Sequence, residues 1–377
     1  MNKIIYTPQL FDGHTFKQNQ CIEIFDGKIL KVFQGTAAQA DEVLDGLLVP
    51  GFIDIQVNGG GGVLFNNHST FKTLKTMSEA HQAFGTTAML PTLITDGYTT
   101  MQAAAEAMAE AIASKLLGVI GIHYEGPHLS RPKKGIHPQS HIRAVSDKEL
   151  ALFTRKDLGK VIVTLAPENV PNDVIQDLVK QGVIVCLGHS NANAQQVEDA
   201  IIAGATGFTH LYNAMSPLTS RESGMVGIAL LDSQTYCGLI VDHHHVSKTS
   251  CQLAIKCKGS DKIILVTDAM SHVGSDLVTE TFLDMDITRQ ADKLTIAGGT
   301  LAGSALDMAS AVRNVHYDLK VPLKESLQMA SLSPAKFLSI AQQRGRIAAN
   351  FAADWVNLDE KLQLTQTWIG GHKVYTK

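Results

Sequence analysis

A chain of 377 residues, 45% hydrophobic and 18% charged, is long enough to bury a large core. At roughly 150 residues per domain it suggests two domains, although one α/β barrel commonly takes about 250 residues. A formal net charge of −4 gives no electrostatic case for a nucleic-acid or polybasic membrane partner, and the apolar runs break off well short of the ~20 residues a bilayer crossing needs. Near the N-terminus, 1–11 lacks a charged start followed by an apolar stretch, so no secretory leader is expected. The cysteines Cys21, Cys186, Cys237, Cys251 and Cys257 are odd in number, scattered and free of any C-x-x-C. That pattern predicts reduced thiols in a cytoplasmic protein, not a disulfide framework or a cysteine zinc site.

In chain order, 1–48 carries short alternating runs at 4–6 and 21–25 with turn signals at Asp12-Gly13 and Asp26-Gly27. From there, apolar runs rich in Val, Ile and Leu predict strands at 49–57, 86–94, 118–125, 160–166, 182–189, 207–211, 236–242 and 262–268. Stretches of helical periodicity lie between them, at 71–84, 98–115, 194–203 and 248–256. The end of the chain, 344–377, returns to short alternating runs with Gly370-Gly371 after them. The expectation is therefore a (β/α)₈ barrel over 49–343, with a small β-sandwich domain built from both termini, 1–48 and 344–377. A doubly wound open sheet reads similarly strand by strand. The placement of polar residues favours the barrel. Gln56, Glu125, His189, His210 and Asp268 each fall at or just past the C-terminal end of a different strand, and only a closed barrel brings all those ends to one mouth.

Polar groups at the ends of apolar strands need a reason, because a buried charge is costly unless it is paired or binds metal. Glu125, before a Gly-Pro stop, with His189 and His210 makes the one-carboxylate, two-imidazole set usual for catalytic zinc; iron(II) takes the same ligands. His123, two residues before Glu125, shares its face and is either a fourth ligand or a packing residue one pleat deeper. H-x-E also marks zinc nucleobase deaminases, but their P-C-x-x-C partner is missing. Asp268, ending the last strand, is placed to take a proton from an activated water. Gly59–Gly62 either offers backbone N–H groups to an anion or makes a tight turn, and Lys133-Lys134 is either a steering pair or simply solvated.

These residues sit in stretches that resemble the amidohydrolase superfamily along nearly the whole chain. Pro50-Gly51-Phe52-Ile53-Asp54 marks the superfamily. His123-Tyr124-Glu125-Gly126-Pro127, Gly188-His189-Ser190 and His210-Leu211-Tyr212-Asn213-Ala214-Met215 together resemble its N-acetylglucosamine-6-phosphate deacetylase family. Many amidohydrolases carry H-x-H after the first strand and bind a second metal there; here the positions are Gln56 and Asn58, and amides are poor transition-metal ligands. The resemblance thus implies a deacetylase acting on a phosphorylated amino sugar, N-acetylglucosamine 6-phosphate first and its galacto epimer as the alternative. It implies one divalent ion per subunit, zinc foremost, on Glu125, His189 and His210, with Gln56 orienting a water and Asp268 as base. It further implies His137 at the acetyl oxygen, and Asn213, Ala214, Arg221 and His245 at the phosphate. In the family the last two come partly from a neighbouring subunit, which implies a homodimer. A barrel that had lost catalysis would lack these ligands or the base; all are present.

Overall fold

The computed structural model describes residues 2–377. Eight parallel strands hydrogen-bond in chain order into one nearly closed barrel. They are β1 (Phe52–Val57), β2 (Thr86–Ile94), β3 (Gly121–Glu125), β4 (Lys160–Leu165), β5 (Ile184–Leu187), β6 (Gly207–Phe208), β7 (Tyr236–Leu239) and β8 (Ile263–Leu265). Almost every residue of these strands is buried, as a parallel sheet between helices and a filled interior requires. Helices return the chain between strands, and some of them start at side-chain caps. Thr70 accepts from Thr73 N–H ahead of Phe71–Gln82, Asn193 from Gln196 N–H ahead of Ala194–Ile202, and Ser247 from Ser250 N–H ahead of Lys248–Lys258.

All eight expected strands have a counterpart, but the later ones are shorter than their apolar runs. The regular ladder of β5, β6, β7 and β8 ends before Gly188, Thr209, Ile240 and Val266; Gly188, Thr209 and Val266 still donate one backbone bond each to the preceding strand before the chain turns into the barrel mouth. The 49–57 run is split. Leu47–Pro50 belongs to the terminal sheet and β1 begins at Phe52. Gly51 makes the crossing, where a Cβ would lie 2.1 Å from Thr87 Oγ1.

Both chain ends lie in one eight-stranded sheet, in which Leu47–Pro50 runs parallel to Lys3–Phe11 and antiparallel to Trp355–Leu358. Its core is Ile5, Leu10, Ile22, Leu48, Trp355 and Trp368, with the two indole rings 5.6 Å apart. This sheet anchors the chain directly upstream of β1. The barrel region also holds an insertion that the apolar pattern did not suggest. Thr279–Phe282, Met285–Gln290 and Lys293–Thr295 form a three-stranded antiparallel sheet after β8. Phe282, Ile287 and Leu294 pack on Leu64, Ile94 and Met270 at the mouth. Among the described residues no helix is long and apolar enough to cross a membrane.

Trp355 is fully buried, so Trp355→Ala should cost about 3–5 kcal/mol of stability, read as a lower denaturant midpoint of the terminal sheet. An unchanged midpoint would show that this core does not hold the sheet together.

Candidate active site

The strand ends meet as the barrel geometry demands. Glu125 ends β3, His189 follows β5 by two residues, His210 follows β6 by two, and Asp268 follows β8 by three. His189, His210 and Asp268 adopt left-handed backbone (φ +47°, +34° and +52°), uncommon for residues with a Cβ. The reversal swings each side chain off its strand and over the mouth. A cavity of about 230 Å³ opens there, lined among others by Asn58, Glu125, His137, His189, His210 and Asp268.

Three donor atoms crowd together at its floor. Glu125 Oε1 lies 2.9 Å from His189 Nε2 and 3.0 Å from His210 Nε2, and the two imidazole nitrogens are 3.0 Å apart. All three residues are buried. His189 Nδ1 faces the carbonyl oxygen of Lys133 at 2.8 Å, so the proton sits on Nδ1 and Nε2 presents a lone pair. A lone pair facing a buried carboxylate is repulsive unless a cation lies between them. The donor set therefore fits a divalent metal ion, and these three residues would hold it. Without a cation a proton takes that place. Burial opposes charge on His210, but the adjacent Glu125 carboxylate prevails and raises its pKa above the ordinary histidine value.

Where the superfamily commonly has histidines, two amides act as donors. Gln56 Nε2 donates to Glu125 Oε2 at 3.1 Å and to Asp268 Oδ1 at 3.3 Å; Asn58 Nδ2 donates to Asp268 Oδ1 at 2.6 Å. Both bonds to Asp268 fall on the same oxygen, leaving Oδ2 for other partners. Burial and the charge of Glu125 push Asp268 up to about 6. His137 Nδ1 accepts from Thr95 Oγ1–H at 2.8 Å and Thr95 N–H at 3.3 Å, which puts its proton on Nε2, 3.8 Å from Glu125 Oε1. Burial and the neighbouring His189 hold His137 well below the ordinary histidine pKa, so it is neutral.

His123 is not part of the donor cluster. It points into the barrel, where Nδ1–H donates to Ile55 O (2.9 Å) and Nε2 accepts from Thr164 Oγ1–H (2.7 Å). Burial pushes it down to about 4, and both nitrogens are spent on packing partners. The Gly59–Gly62 run is a turn: Gly59, Gly61 and Gly62 N–H donate to Ala269, Val273 and Ser271 carbonyls, leaving those groups no part in anion binding.

Asn213, Ala214 and His245 line the cavity. Of the histidine run, His243 pairs with Asp318 and His244 with Asp292, while His245 Nδ1–H donates to Asp242 Oδ2 at 2.6 Å. Burial resists charge on Asp242, yet the bond from His245 prevails and its carboxyl falls to about 2. Arg221 is exposed on the 217–223 loop and does not line this cavity. Thr95 and Asp242, which orient His137 and His245, were not singled out from sequence. The i, i+3 spacing of Asp242 to His245 was the available signal for one; nothing local marks the other.

An amidohydrolase family model matches residues 47–374, and the chain belongs to the amidohydrolase family. It is 49% identical over 360 residues to the N-acetylgalactosamine-6-phosphate deacetylase of Shewanella sp. (strain ANA-3), covering 94% of this chain and 91% of that protein. It is 35% identical over 354 residues to the N-acetylglucosamine-6-phosphate deacetylase of Haemophilus influenzae, covering 93% and 92%. The crystal structure of N-acetylglucosamine-6-phosphate deacetylase from Pasteurella multocida superposes over the whole of both chains with a TM-score of 0.95 at 33% identity.

Metal binding must expel the His210 proton, which accumulates as pH falls. Zinc affinity of metal-depleted protein, measured by calorimetry, should therefore weaken steadily as pH is lowered. His210→Ala should lose most of the bound ion. A pH-independent affinity, or full metal content in that variant, would remove His210 from the ligand set.

Proposed function

We propose that this chain is a metal-dependent deacetylase of an N-acetylhexosamine 6-phosphate, releasing acetate and the amino-sugar phosphate, with the galacto epimer preferred. The observation that carries the reading is the convergence of Glu125, His189 and His210 beside Asp268 and a neutral His137 in one cavity. The 49% identity to a relative named for the galacto substrate, against 35% for one named for the gluco substrate, favours galacto over the gluco expectation raised by the motifs.

Glu125, His189 and His210 would hold one divalent ion per subunit, zinc foremost and iron(II) as the alternative, which would supply Lewis acidity and a lowered pKa for water. Asp268 takes the proton of the attacking water on the oxygen its amide partners leave free, and returns it to the departing sugar nitrogen. His137 Nε2–H donates to the acetamide oxygen as negative charge grows there. Gln56 holds the Glu125 and Asp268 carboxylates in register and borders the water's position. Asn213, Ala214 and His245, at the cavity wall, receive the phosphate end. Arg221 faces outward and serves the phosphate of a neighbouring subunit in a homodimer; a fixed guanidinium fork suits phosphate. The five free cysteines, four of them buried, suit the reducing cytoplasm.

Acetate release measured side by side on the two epimeric 6-phosphates decides the substrate: higher kcat/KM on the galacto form is expected, and no turnover of either ends the reading. Asp268→Asn should keep its metal and lose about 10³-fold or more in kcat. A near-normal rate would move the base elsewhere.

Shared Arg221 has a complementation test. Asp268→Asn and Arg221→Ala proteins, each nearly inactive, should regain about a quarter of wild-type sites when subunits are mixed and reassociated, because each mixed dimer holds one intact composite site. No regain would assign Arg221 to its own subunit or to no site.

A further inference from the structure

The barrel closes between β1 and β8, yet among the described residues no regular ladder joins them. The seam is held near the mouth by one isolated bridge, Val57 to Ala269. Asp268 N–H donates to Gln56 O and Asn58 N–H to Ala269 O, each at 2.9 Å. Deeper in, a side chain does what a ladder would have done. Asp54 is fully buried on β1. Its Oδ1 accepts from Gln56 N–H on its own strand (3.2 Å) and, across the seam, from Thr267 N–H (3.4 Å). Its Oδ2 accepts from Thr267 Oγ1–H at 2.6 Å.

Thr267 is the residue before Asp268. The hydroxyl gripped by Asp54 also accepts from Ala269 N–H at 3.2 Å, and Ser304 Oγ–H and N–H donate to the Thr267 and Asp268 carbonyls at 2.5 and 2.9 Å. Asp268 is thus bracketed on both sides while its own backbone is left-handed, at φ +52°. Such a conformation persists only where the surroundings over-determine it. A buried carboxylate is also a poor choice where an apolar side chain would pack, unless its acceptors are needed in place.

We propose that Asp54, acting through Thr267, is a positioning residue for Asp268: it closes the barrel seam so that the Asp268 carboxylate meets Asn58 and Gln56 and turns its free oxygen to the cavity. This rests on the reading of Asp268 as the base. Asp54 touches no reacting atom, and its effect passes through the strand end.

The test uses Thr267→Val, which keeps the shape and deletes the hydroxyl, Thr267→Ser, which keeps the hydroxyl, and Asp54→Asn, whose amide still offers an acceptor to both N–H groups and a donor to Thr267 Oγ1. Each zinc-loaded variant is assayed on the preferred sugar phosphate, and each metal-free variant is crystallised. Thr267→Val should lose about 10–100-fold in kcat with KM within about threefold and zinc content unchanged. Its crystal structure should show the Asp268–Asn58 bond broken. Thr267→Ser and Asp54→Asn should recover most of the rate and restore the bond. Thr267→Val with a wild-type kcat and Asp268 in place overturns the proposal, and so does a rate loss that tracks zinc loss. If the wild-type protein turns over neither sugar phosphate, the functional reading fails, while the crystal structures still decide whether the seam sets Asp268.

Discussion

Two imidazole nitrogens and a carboxylate oxygen sit about 3 Å from one another in a buried barrel mouth, and at least one of the nitrogens is fixed as a lone pair by the carbonyl behind it. Left to themselves these groups repel or must trap a proton. The chain keeps them together by rigid means: three strand ends that cannot separate without breaking the barrel, and left-handed turns at His189 and His210 that aim the rings inward. A cation turns this repulsion into cohesion. The arrangement is thus suited to a divalent ion, and the surrounding features are arranged around it.

One of these is the pair Gln56 and Asn58. Where histidines would extend the metal site, amides supply N–H donors, and both direct them at one oxygen of Asp268 while Gln56 also reaches Glu125. The change of residue type redirects the first strand from binding metal to orienting carboxylates. Asp268, raised to about 6 by enclosure and by Glu125, is kept from rising further by the nearby His210 and His245 and, after them, by the Asn58 amide.

Much of this was legible in the residues alone. The 86–94 run matches β2 residue for residue, and the barrel mouth was located because polar residues ended apolar runs at Glu125, His189, His210 and Asp268. Periodicity could not show where each run leaves the regular ladder, because residues just past the strand ends, such as Ile240, Val241 and Val266, are as apolar as those within them. It also missed the 279–295 hairpin sheet, whose short strands mix Thr, Glu, Asp and Arg with few apolar positions and bury only Phe282, Ile287 and Leu294. Thr95 and Asp54 were invisible as partners for a different reason. Their importance lies in which loop or strand end passes beside them, and a single sequence does not record that.

Because the two ends of the polypeptide lie in one sheet, the order of synthesis matters. Leu47–Pro50 finds Lys3–Phe11 as soon as both have left the ribosome, but its other edge waits for Trp355–Leu358, about 15–60 s later at ordinary elongation rates. Throughout that interval a four-residue apolar edge and the half-core around Ile5, Leu10 and Ile22 stand open to water while the barrel assembles next to them. Until Trp355–Leu358 is made, the edge of Leu47–Pro50 stays open to misassociation, and its pairing with that strand is what seals it.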